Sequence, residues 1–490
     1  MACAASCSPS RGSVLAVVAV LAVAAVASPP RSLGASAEMG GPNWHMVSIS
    51  SLLPSSVCTP AKAASTNSSS VLSVVHRHGP CSPLPSHRDL PSPAEILERD
   101  QQRVNAIRRK ITGASSAITT SHASNKDKGV SVPARLGWSF GSNNYIMPAG
   151  LGTPARQLYV EIDSGSDLSW VQCKPCKDCY PQQDPLFDPA NSSTYSSVHC
   201  GAKACKDLTS SHNCSSDDTC RYEYLYADQS HTGGHLARDT LTLGPSSDDN
   251  KVLGFVFGCG DDDKGTFAET DGLFGLGRAK VSLASQAAAR YGAPGFSYCL
   301  PSTSSATGYL SLGVTSAPAN ARFTAMATRS DEPSFYYVDL VGFKVAGRKV
   351  EVPASAFKTT TGTIVDSGTV FSRLPPRAYA ALRAAFTRAM ARYNYTRAPA
   401  LTYLDTCYDF AGRTEHARIP AVALVFADGT ELNLGPRGVL YVASVAQMCL
   451  AFAAIEDDFV GILGNAQQKT FAVVYDVANK RIGFGANGCG

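Results

Sequence analysis

The chain has 490 residues, of which 44% are hydrophobic and 17% charged, so it holds enough apolar material for a large core and two lobes. Its Gly, Ser, Thr and Val content favours β structure over helix bundles. The net charge is +4, but residues 1–130 carry 12 Lys and Arg against 6 Asp and Glu, whereas the remainder carries 31 against 33. The positive charge therefore belongs to the first 130 residues, and the rest of the chain gives no sign of a nucleic-acid partner.

Residues 1–27 are predicted to be a secretory signal peptide. Arg11 supplies a positive charge ahead of an apolar run at residues 14–26, which is short for a membrane span. A small-x-small cleavage site, Ala-Val-Ala, closes the run at Ala27. A membrane anchor is the alternative interpretation of this run. We expect an exported protein with no stable membrane anchor.

Residues 28–130 are predicted to form a propeptide with two ordered segments. The first is an apolar strand within residues 71–80, whose His76 and His78 have no further metal ligands nearby. The second is a helix that begins with a capping box, in which Ser92 is the N-cap and Glu95 the third helical residue. Its apolar face holds Leu97, Val104, Ile107 and Ile111, and its polar surface is expected to hold Arg99, Arg103, Arg108, Arg109 and Lys110. We hypothesise that this basic segment covers an acidic cleft and leaves it at low pH.

Two strand-like runs about two hundred residues apart end in nearly the same motif. Residues 160–170 contain Asp-Ser-Gly-Ser, and residues 362–370 contain Asp-Ser-Gly-Thr. One such copy is an ordinary turn at the end of a strand. If two lobes bring Asp163 and Asp366 together, like charge and burial disfavour double ionisation, so the pair holds one proton. One carboxylate can then activate water while the other donates to a substrate carbonyl.

With this pair of motifs the chain resembles the pepsin-like aspartic proteases, and more closely their plant, nepenthesin-type branch, from about Val132 onward. The resemblance implies an all-β dominated, bilobal pepsin-like aspartic protease fold: two β-barrel-like lobes with a cleft between them and a few short helices. The N-terminal lobe is expected at residues 131–318, with a cysteine-rich insert at 173–220, and the C-terminal lobe at 319–490.

The resemblance further implies a secreted aspartic endopeptidase, made as a zymogen, that uses Asp163 and Asp366 without any cofactor or metal. Its partners would be protein or peptide substrates, with no nucleic acid, and it would act as a monomer. Its location would be extracellular, in the apoplast, with the vacuole as the alternative. The alternative function is a catalytically silent binding protein on the same fold that inhibits cell-wall hydrolases.

By the same resemblance, Tyr226 occupies the flap position over the substrate and Trp170 hydrogen-bonds it; a core aromatic is the alternative role for Tyr226. Ala227 and Gln229 stand where this branch usually has glycines. Six residues are expected to support the two loops: Ser164 and Ser367 by hydroxyl-to-backbone bonds between the lobes, Ser166 and Thr369 by hydrogen bonds to the outer carboxylate oxygens, and Gly165 and Gly368 by their sharp turns.

Sixteen cysteines, 12 of them after residue 130, indicate disulfides in an exported protein. The CxxCxxC run at residues 173–179 could bind metal, but export argues against it. Sequence alone does not fix the connectivity. The resemblance suggests the pairs Cys173–Cys176, Cys179–Cys259, Cys200–Cys220, Cys205–Cys214, Cys299–Cys489 and Cys407–Cys449.

Four N-x-Ser/Thr sequences are candidate glycosylation sites. Asn67 falls within the predicted propeptide. Asn191, Asn213 and Asn394 lie in polar surroundings that suit surface loops.

Overall fold

The computed structural model describes residues 43–53, 55–59, 71–84, 92–112 and 145–489, apart from short gaps at 209–210, 227–229, 245–249, 266, 268–269, 292–294, 314–316, 331, 358–361, 413–415 and 456–459. All of these residues belong to one compact unit, Met39–Gly490. The predicted signal peptide, Asn67 and both ends of the predicted propeptide fall outside the described residues. Among the described helices, none is long and apolar enough to cross a membrane.

The fold is bilobal and dominated by β-strands, as predicted. The segment before the lobes forms β1 (Trp44–Ser48), α1 (Ile49–Leu52), β2 (Val71–His76) and α2 (Pro93–Thr112). The next elements are β3 (Tyr145–Leu151), β4 (Arg156–Asp163), β5 (Trp170–Gln172), β6 (Ser196–Ser197), α3 (Lys203–Lys206), β7 (Ser211–Cys214), β8 (Cys220–Leu225), β9 (His231–Thr242), β10 (Lys251–Lys264), β11 (Gly272–Gly275), α4 (Leu283–Tyr291), β12 (Phe296–Cys299) and β13 (Thr307–Leu312).

The second half of the chain repeats this strand-rich pattern. It begins with β14 (Arg322–Ala327), β15 (Tyr337–Val338), β16 (Leu340–Val345), β17 (Arg348–Lys349), β18 (Thr363–Val365), β19 (Ser372–Leu374), α5 (Pro376–Met390), β20 (Thr396–Ala398), β21 (Cys407–Asp409) and β22 (His416–Pro420). It ends with β23 (Val422–Phe426), β24 (Glu431–Asn433), α6 (Pro436–Val439), β25 (Leu440–Ser444), β26 (Gln447–Leu450), β27 (Phe452–Ala454), β28 (Gly461–Leu463), α7 (Asn465–Gln468), β29 (Ala472–Asp476) and β30 (Arg481–Gly485).

One antiparallel set of strands connects the two halves of the chain, in the order β2-β13-β12-β29-β30-β14. Strand β2 also pairs with β3, and β1 pairs with β22. The predicted propeptide strand is therefore an integral member of a sheet rather than an isolated segment. Backbone hydrogen bonds to both halves hold this part of the chain in place.

Helix α2 begins as the sequence predicts. Ser92 N donates to Glu95 Oε2 over 2.7 Å, and Glu95 N donates to Ser92 Oγ over 3.2 Å, which completes the capping box. Leu97 packs in one apolar cluster with Val370 and Phe371. Farther along the helix, Val104 and Ile107 pack in another cluster with Phe335 and Ile364. The apolar face of α2 therefore lies against the second half of the chain.

The structure contains the expected Cys299–Cys489 and Cys407–Cys449 bonds, but four of the suggested pairings are wrong. Cys173–Cys176 and Cys179–Cys259 are replaced by Cys173–Cys259 and Cys176–Cys179, because β5 runs parallel to β10 and places Cys173 beside Cys259. Cys200–Cys220 and Cys205–Cys214 are replaced by Cys200–Cys214 and Cys205–Cys220. Burial explains this exchange, because Cys205 and Cys220 both face the core whereas Cys214 is exposed.

A seventh disulfide, Cys58–Cys81, ties together the segment before α2 and was not predicted. The candidate glycosylation residues Asn191, Asn213 and Asn394 are all exposed. Asn394 ends a short 3-10 turn after α5 in the left-handed conformation, with φ of 50°.

Candidate active site

Two strand ends bring the repeated motifs together. Strand β4 ends at Asp163 and lies parallel to β11, and β18 ends just before Asp366 and lies parallel to β28. Leu276 N donates to the carbonyl of Asp163 over 2.7 Å, and Asp366 N donates to the carbonyl of Leu463 over 3.1 Å. Each acidic loop is therefore backed by an apolar, glycine-containing strand, in the same way in both halves.

Glycine is required where these backing strands pass the loops. A Cβ atom on Gly275 would lie 2.4 Å from the carbonyl oxygen of Asp167, and one on Gly464 would lie 2.7 Å from a backbone carbon of Phe371. Both distances are shorter than contacts that real Cβ atoms make. The close backbone approach fixes the positions of the two acidic loops.

The two loops are bonded to each other reciprocally. Ser164 N donates to Ser367 Oγ over 3.0 Å, and Ser367 N donates to Ser164 Oγ over 2.9 Å. These bonds are fully buried and cross between the two halves of the chain. They hold Asp163 and Asp366, one residue earlier in each loop, at a fixed separation.

The second loop also binds its own carboxylate. Gly368 N donates to Asp366 Oδ1 over 2.9 Å, and Thr369 Oγ1 donates to Asp366 Oδ2 over 2.5 Å. In the first loop, Gly165 N donates to Asp163 Oδ1 over 2.9 Å. The expected bond from Ser166 is absent, since its buried hydroxyl has no partner among the described residues. Other donors already reach both oxygens of Asp163.

Those donors belong to Arg103 of helix α2. Arg103 Nη2 lies 2.6 Å from Asp163 Oδ1 and 2.8 Å from Asp366 Oδ1. Arg103 Nη1 donates to Asp163 Oδ2 over 3.3 Å, and Arg103 Nε donates to Asp366 Oδ2 over 2.9 Å. Both carboxylates are inaccessible to solvent. Arg103 was expected on the polar surface of α2, but it is buried, and its guanidinium occupies the point where the two acidic loops meet.

This contact changes the electrostatics of the pair. Burial by itself raises the pKa of Asp366, but the charge of Arg103 and hydrogen bonds from Arg103, Thr369 and Gly368 outweigh burial and hold that pKa below its usual value. Burial likewise opposes the charge of Arg103, but Asp163 and Asp366 raise the Arg103 pKa well above its ordinary value. Arg103 and Asp366 therefore each stabilise the charged form of the other.

Other residues of α2 contact the walls of the same cleft. Asp100 pairs with Arg373, with 3.0 Å between Asp100 Oδ2 and Arg373 Nη2. Near the end of the helix, Lys110 Nζ lies 2.9 Å from Glu332 Oε1. Helix α2 thus forms ion pairs on both sides of Arg103 and fills the cleft beside the two carboxylates.

The aromatic pair predicted for the flap is also in contact. Trp170 is fully buried, and its Nε1 donates to Tyr226 Oη over 2.7 Å. Tyr226 follows β8, which pairs with β9 as a hairpin, and Tyr226 N donates to the carbonyl of Ser230 over 2.7 Å. Ala227 and Gln229, at the hairpin tip, lie outside the described residues.

The end of β2 is anchored by buried polar groups. Arg77 Nη1 lies 2.5 Å from Glu161 Oε1, two residues before Asp163, and Arg77 Nη2 donates to the carbonyl of Phe267 over 2.7 Å. Burial, with nearby positive charge, lowers the pKa of His76 to about 3 and that of His78 to about 2. Both histidines are therefore neutral in this arrangement, which fits the acceptance by His76 Nδ1 of a hydrogen bond from His78 N.

Two family models match the chain: Xylanase inhibitor N-terminal over residues 145–314 and Xylanase inhibitor C-terminal over residues 335–486. Among similar proteins, an aspartyl protease family protein of Arabidopsis thaliana is 43% identical over 454 residues, which cover 91% of this chain and 93% of the relative. Aspartic proteinase nepenthesin-2 of Nepenthes gracilis is 33% identical over 403 residues, which cover 80% of this chain and 85% of the relative.

Solved structures also resemble this fold. Basic 7S globulin from soybean matches with a TM-score of 0.57 at 22% identity, covering 70% of this chain and 94% of that protein. Conglutin gamma from lupine seeds matches with a TM-score of 0.57 at 20% identity, covering 71% and 92%. At these identities the similarity concerns the fold alone.

Proposed function

This chain belongs to the pepsin-like aspartic protease family, in its nepenthesin-type branch, and we propose that it is an aspartic endopeptidase made as an inactive precursor. The observation that supports the proposal most strongly is the meeting of Asp163 and Asp366 at one buried point. The strands of two similar halves bring the carboxylates there, and the reciprocal serine bonds fix them.

The position of Arg103 Nη2 indicates where a catalytic water would lie. This atom is within hydrogen-bond distance of an oxygen of each aspartate, so a water in its place would contact both carboxylates. After Arg103 leaves, two carboxylates this close share one proton. The ionised one takes a proton from the water, whose oxygen attacks the peptide carbon, and the protonated one donates to the developing oxyanion. The C–N bond of this tetrahedral intermediate then breaks: the leaving amine takes the proton that came from the water, a hydroxyl proton returns to the other carboxylate, and the pair again holds one proton.

Helix α2 accounts for an inactive precursor. Arg103 pairs with both carboxylates, occupies the place of the water, and is itself carried by a helix whose apolar face is buried. Substrate cannot reach the carboxylates while the helix is bound, since both are inaccessible to solvent. Activation therefore requires α2 to leave the cleft.

Acid acts on the precursor in two pH ranges. Because the pKa of Asp366 is lowered, its contact with Arg103 stabilises the precursor above the ordinary carboxyl pKa of about 3.9 and is lost as pH falls through the lowered value. His76 and His78 also have lowered pKa values, because both are buried in the neutral form. Their contribution to the stability of the precursor is therefore fully present above pH 6.5 and is lost progressively as pH falls toward about 3. Mild acid thus weakens the β2 anchor first.

We further propose that the protein is secreted and acts on protein or peptide substrates as a monomer, without a cofactor. Seven disulfides among the described residues suit an oxidising compartment. Exposed acceptor sequences at Asn191, Asn213 and Asn394 suit a glycoprotein of the secretory route.

The second candidate is a silent inhibitor of cell-wall hydrolases, which the names of the two matching family models favour. Such a protein needs no converging carboxylates and no cation to neutralise them. The complete pair and its occupant, Arg103, favour the protease.

The test is cleavage of a denatured protein by the acid-treated precursor between pH about 3 and 7, with and without pepstatin. Asp163→Asn and Asp366→Asn are compared with the control Asp261→Asn, which alters a carboxylate paired with Arg221 away from the cleft. The proposal predicts pepstatin-sensitive cleavage that both dyad variants lose and the control keeps. No cleavage by a folded, processed protein would favour the inhibitor.

A further inference from the structure

A pocket in the second half of the chain binds the carboxylate of Asp100 from two directions. Arg373 Nη2 donates to Asp100 Oδ2 over 3.0 Å, and Val370 N donates to Asp100 Oδ1 over 2.5 Å. Both Asp100 and Arg373 are completely buried. A guanidinium and a backbone N–H are strong donors to a carboxylate, so this arrangement is a receptor for an acidic group.

The receptor is built by the second half of the chain and does not depend on α2. Arg373 lies on β19, whose backbone pairs with β27 and β28. Its Cζ lies 4.0 Å from the centre of the Phe371 ring and 5.4 Å from that of Tyr403, and such aromatic contacts hold a guanidinium in place. Arg373 Nε has no hydrogen-bond partner among the described residues and is a further donor for a ligand.

The pocket adjoins the two aspartates. Asp100 precedes Arg103 by three residues, or about 4.5 Å along the helix axis. Val370 directly follows Thr369, which binds Asp366. A group in this pocket therefore lies about one helical turn from the proposed site of peptide hydrolysis.

Departure of α2 leaves Arg373 without its counter-ion. Asp100 is the one carboxylate within ion-pair distance of Arg373 among the described residues. A guanidinium that its aromatic contacts hold in place without a counter-ion is a strong donor to any carboxylate that enters. The emptied pocket is thus poised to take up another carboxylate, and a substrate is the group that enters the cleft next.

Building on the proposed function, we propose that Arg373 determines substrate specificity by binding an Asp or Glu side chain of the peptide close to the scissile bond. In the precursor, the carboxylate of Asp100 occupies the place of that side chain. The mature enzyme then cleaves peptides with an acidic residue at this one subsite in preference to the corresponding amides.

The test uses the mature enzyme and quenched fluorescent peptides in pairs that differ only by Asp or Asn, placed in turn at each position flanking the scissile bond. At pH about 5.5 an ordinary Asp, with a pKa near 3.9, is ionised. We expect one position at which Asp raises kcat/KM at least about tenfold over Asn, as loss of one charged hydrogen-bonded contact costs about 1.5–3 kcal/mol.

Arg373→Met is expected to bring the Asp-to-Asn ratio at that position close to one, and Arg373→Lys to retain part of it. The matched control is Arg383→Met, which removes an arginine of helix α5 that pairs with Asp405. This variant should keep the wild-type ratio of Asp-peptide to Asn-peptide cleavage. A second readout needs no variant: the wild-type ratio falls as pH drops through about 4, where the substrate Asp takes up a proton.

Equal cleavage of Asp and Asn peptides at every position by the wild type would overturn the proposal for Arg373 while leaving the protease intact. A wild-type preference that persists in Arg373→Met, or that does not weaken in acid, would also overturn it. Failure to cleave any peptide would instead refute the proposed protease function.

Discussion

Replacing Arg103 with methionine tests the proposed latency directly. The substitution keeps the length of the side chain but removes four hydrogen bonds and the only cation that contacts both aspartates among the described residues. Removal of one partner from a buried ion pair costs about 3–5 kcal/mol. Proton uptake by a carboxylate left without its partner offsets part of this cost, so the expected loss is about 3 kcal/mol, and each 1.4 kcal/mol is tenfold in an equilibrium.

The population of precursor whose helix has left the cleft should therefore rise by roughly a hundredfold in Arg103→Met. The assay is the initial rate of peptide cleavage by freshly purified precursor at mildly acidic pH, with intact mass confirming that the chain is unprocessed. The control is Arg109→Met, which removes the same charge from an exposed position of the same helix. Its rate should stay within about threefold of the wild type, as surface substitutions usually change stability by less than about 0.5 kcal/mol.

An Arg103→Met precursor as inactive as the wild type and Arg109→Met would show that Arg103 does not keep the precursor inactive. Arg103→Lys refines the test, since lysine keeps the charge but cannot reach both carboxylates with a planar fork of donors. The cleavage rate of the unprocessed Arg103→Lys precursor should fall between those of the wild type and Arg103→Met. A cleavage rate of the Arg103→Lys precursor equal to that of the wild-type precursor would show that the positive charge alone keeps the precursor inactive.

Two further predictions concern the β2 anchor and the braced loops. His76→Gln should shift the pH midpoint of precursor processing to lower values. At pH about 4, His76 is neutral in place but takes up a proton once the segment is released, which favours release by about 3 kcal/mol. Gels of the processing products across a pH series measure the midpoint, and an unchanged midpoint would contradict a role for His76 in holding β2. Ser164→Ala leaves the buried Ser367 N–H without an acceptor and should lower the free energy of unfolding by about 1–3 kcal/mol. Urea titration measures this free energy, and an unchanged midpoint would show that the serine hydrogen bonds do not stabilise the fold.

The sequence predicted the features that depend on local chemistry. The capping box at Ser92 and Glu95 and the apolar face of α2 follow from spacing along the chain, and the structure confirms them. The repeated Asp-Ser-Gly motif predicted two strand ends, because a β-branched apolar run followed by glycine has few other solutions.

The features that the sequence did not predict depend on contacts between distant residues. The helical pattern placed Arg103 with the other basic residues of α2, and the contacts that distinguish it from Arg109 are made with residues far away in the chain. A signal was available in its placement, since Arg103 lies one residue from Val104 and within one turn of Asp100, on the edge of the buried face. The cysteine pairing failed for a similar reason: the parallel approach of β5 and β10 selects Cys259 for Cys173, and no spacing rule encodes it.

Propeptide composition also concealed a structural role. The apolar run within residues 71–80 predicts a strand, but its surroundings of Pro, Ser and Ala do not predict which strands it pairs with. Instead β2 pairs on both sides, with β13 and β3, and Arg77 beside it reaches Glu161 in the interior. Such pairing requires the whole sheet to be assembled, so it is a property of the fold rather than of the segment.

A double-mutant cycle on Asp163 and Asp366 tests most directly whether the two carboxylates form one catalytic unit. It is measured as kcat/KM of chains freed from the helix by an added protease. We expect Asp163→Asn and Asp366→Asn each to lower kcat/KM by about 100-fold to 10 000-fold, and the double variant to lose no more than either single one. Losses that add in the double variant, or one single variant that retains wild-type activity, would contradict the claim that the two carboxylates act as one unit.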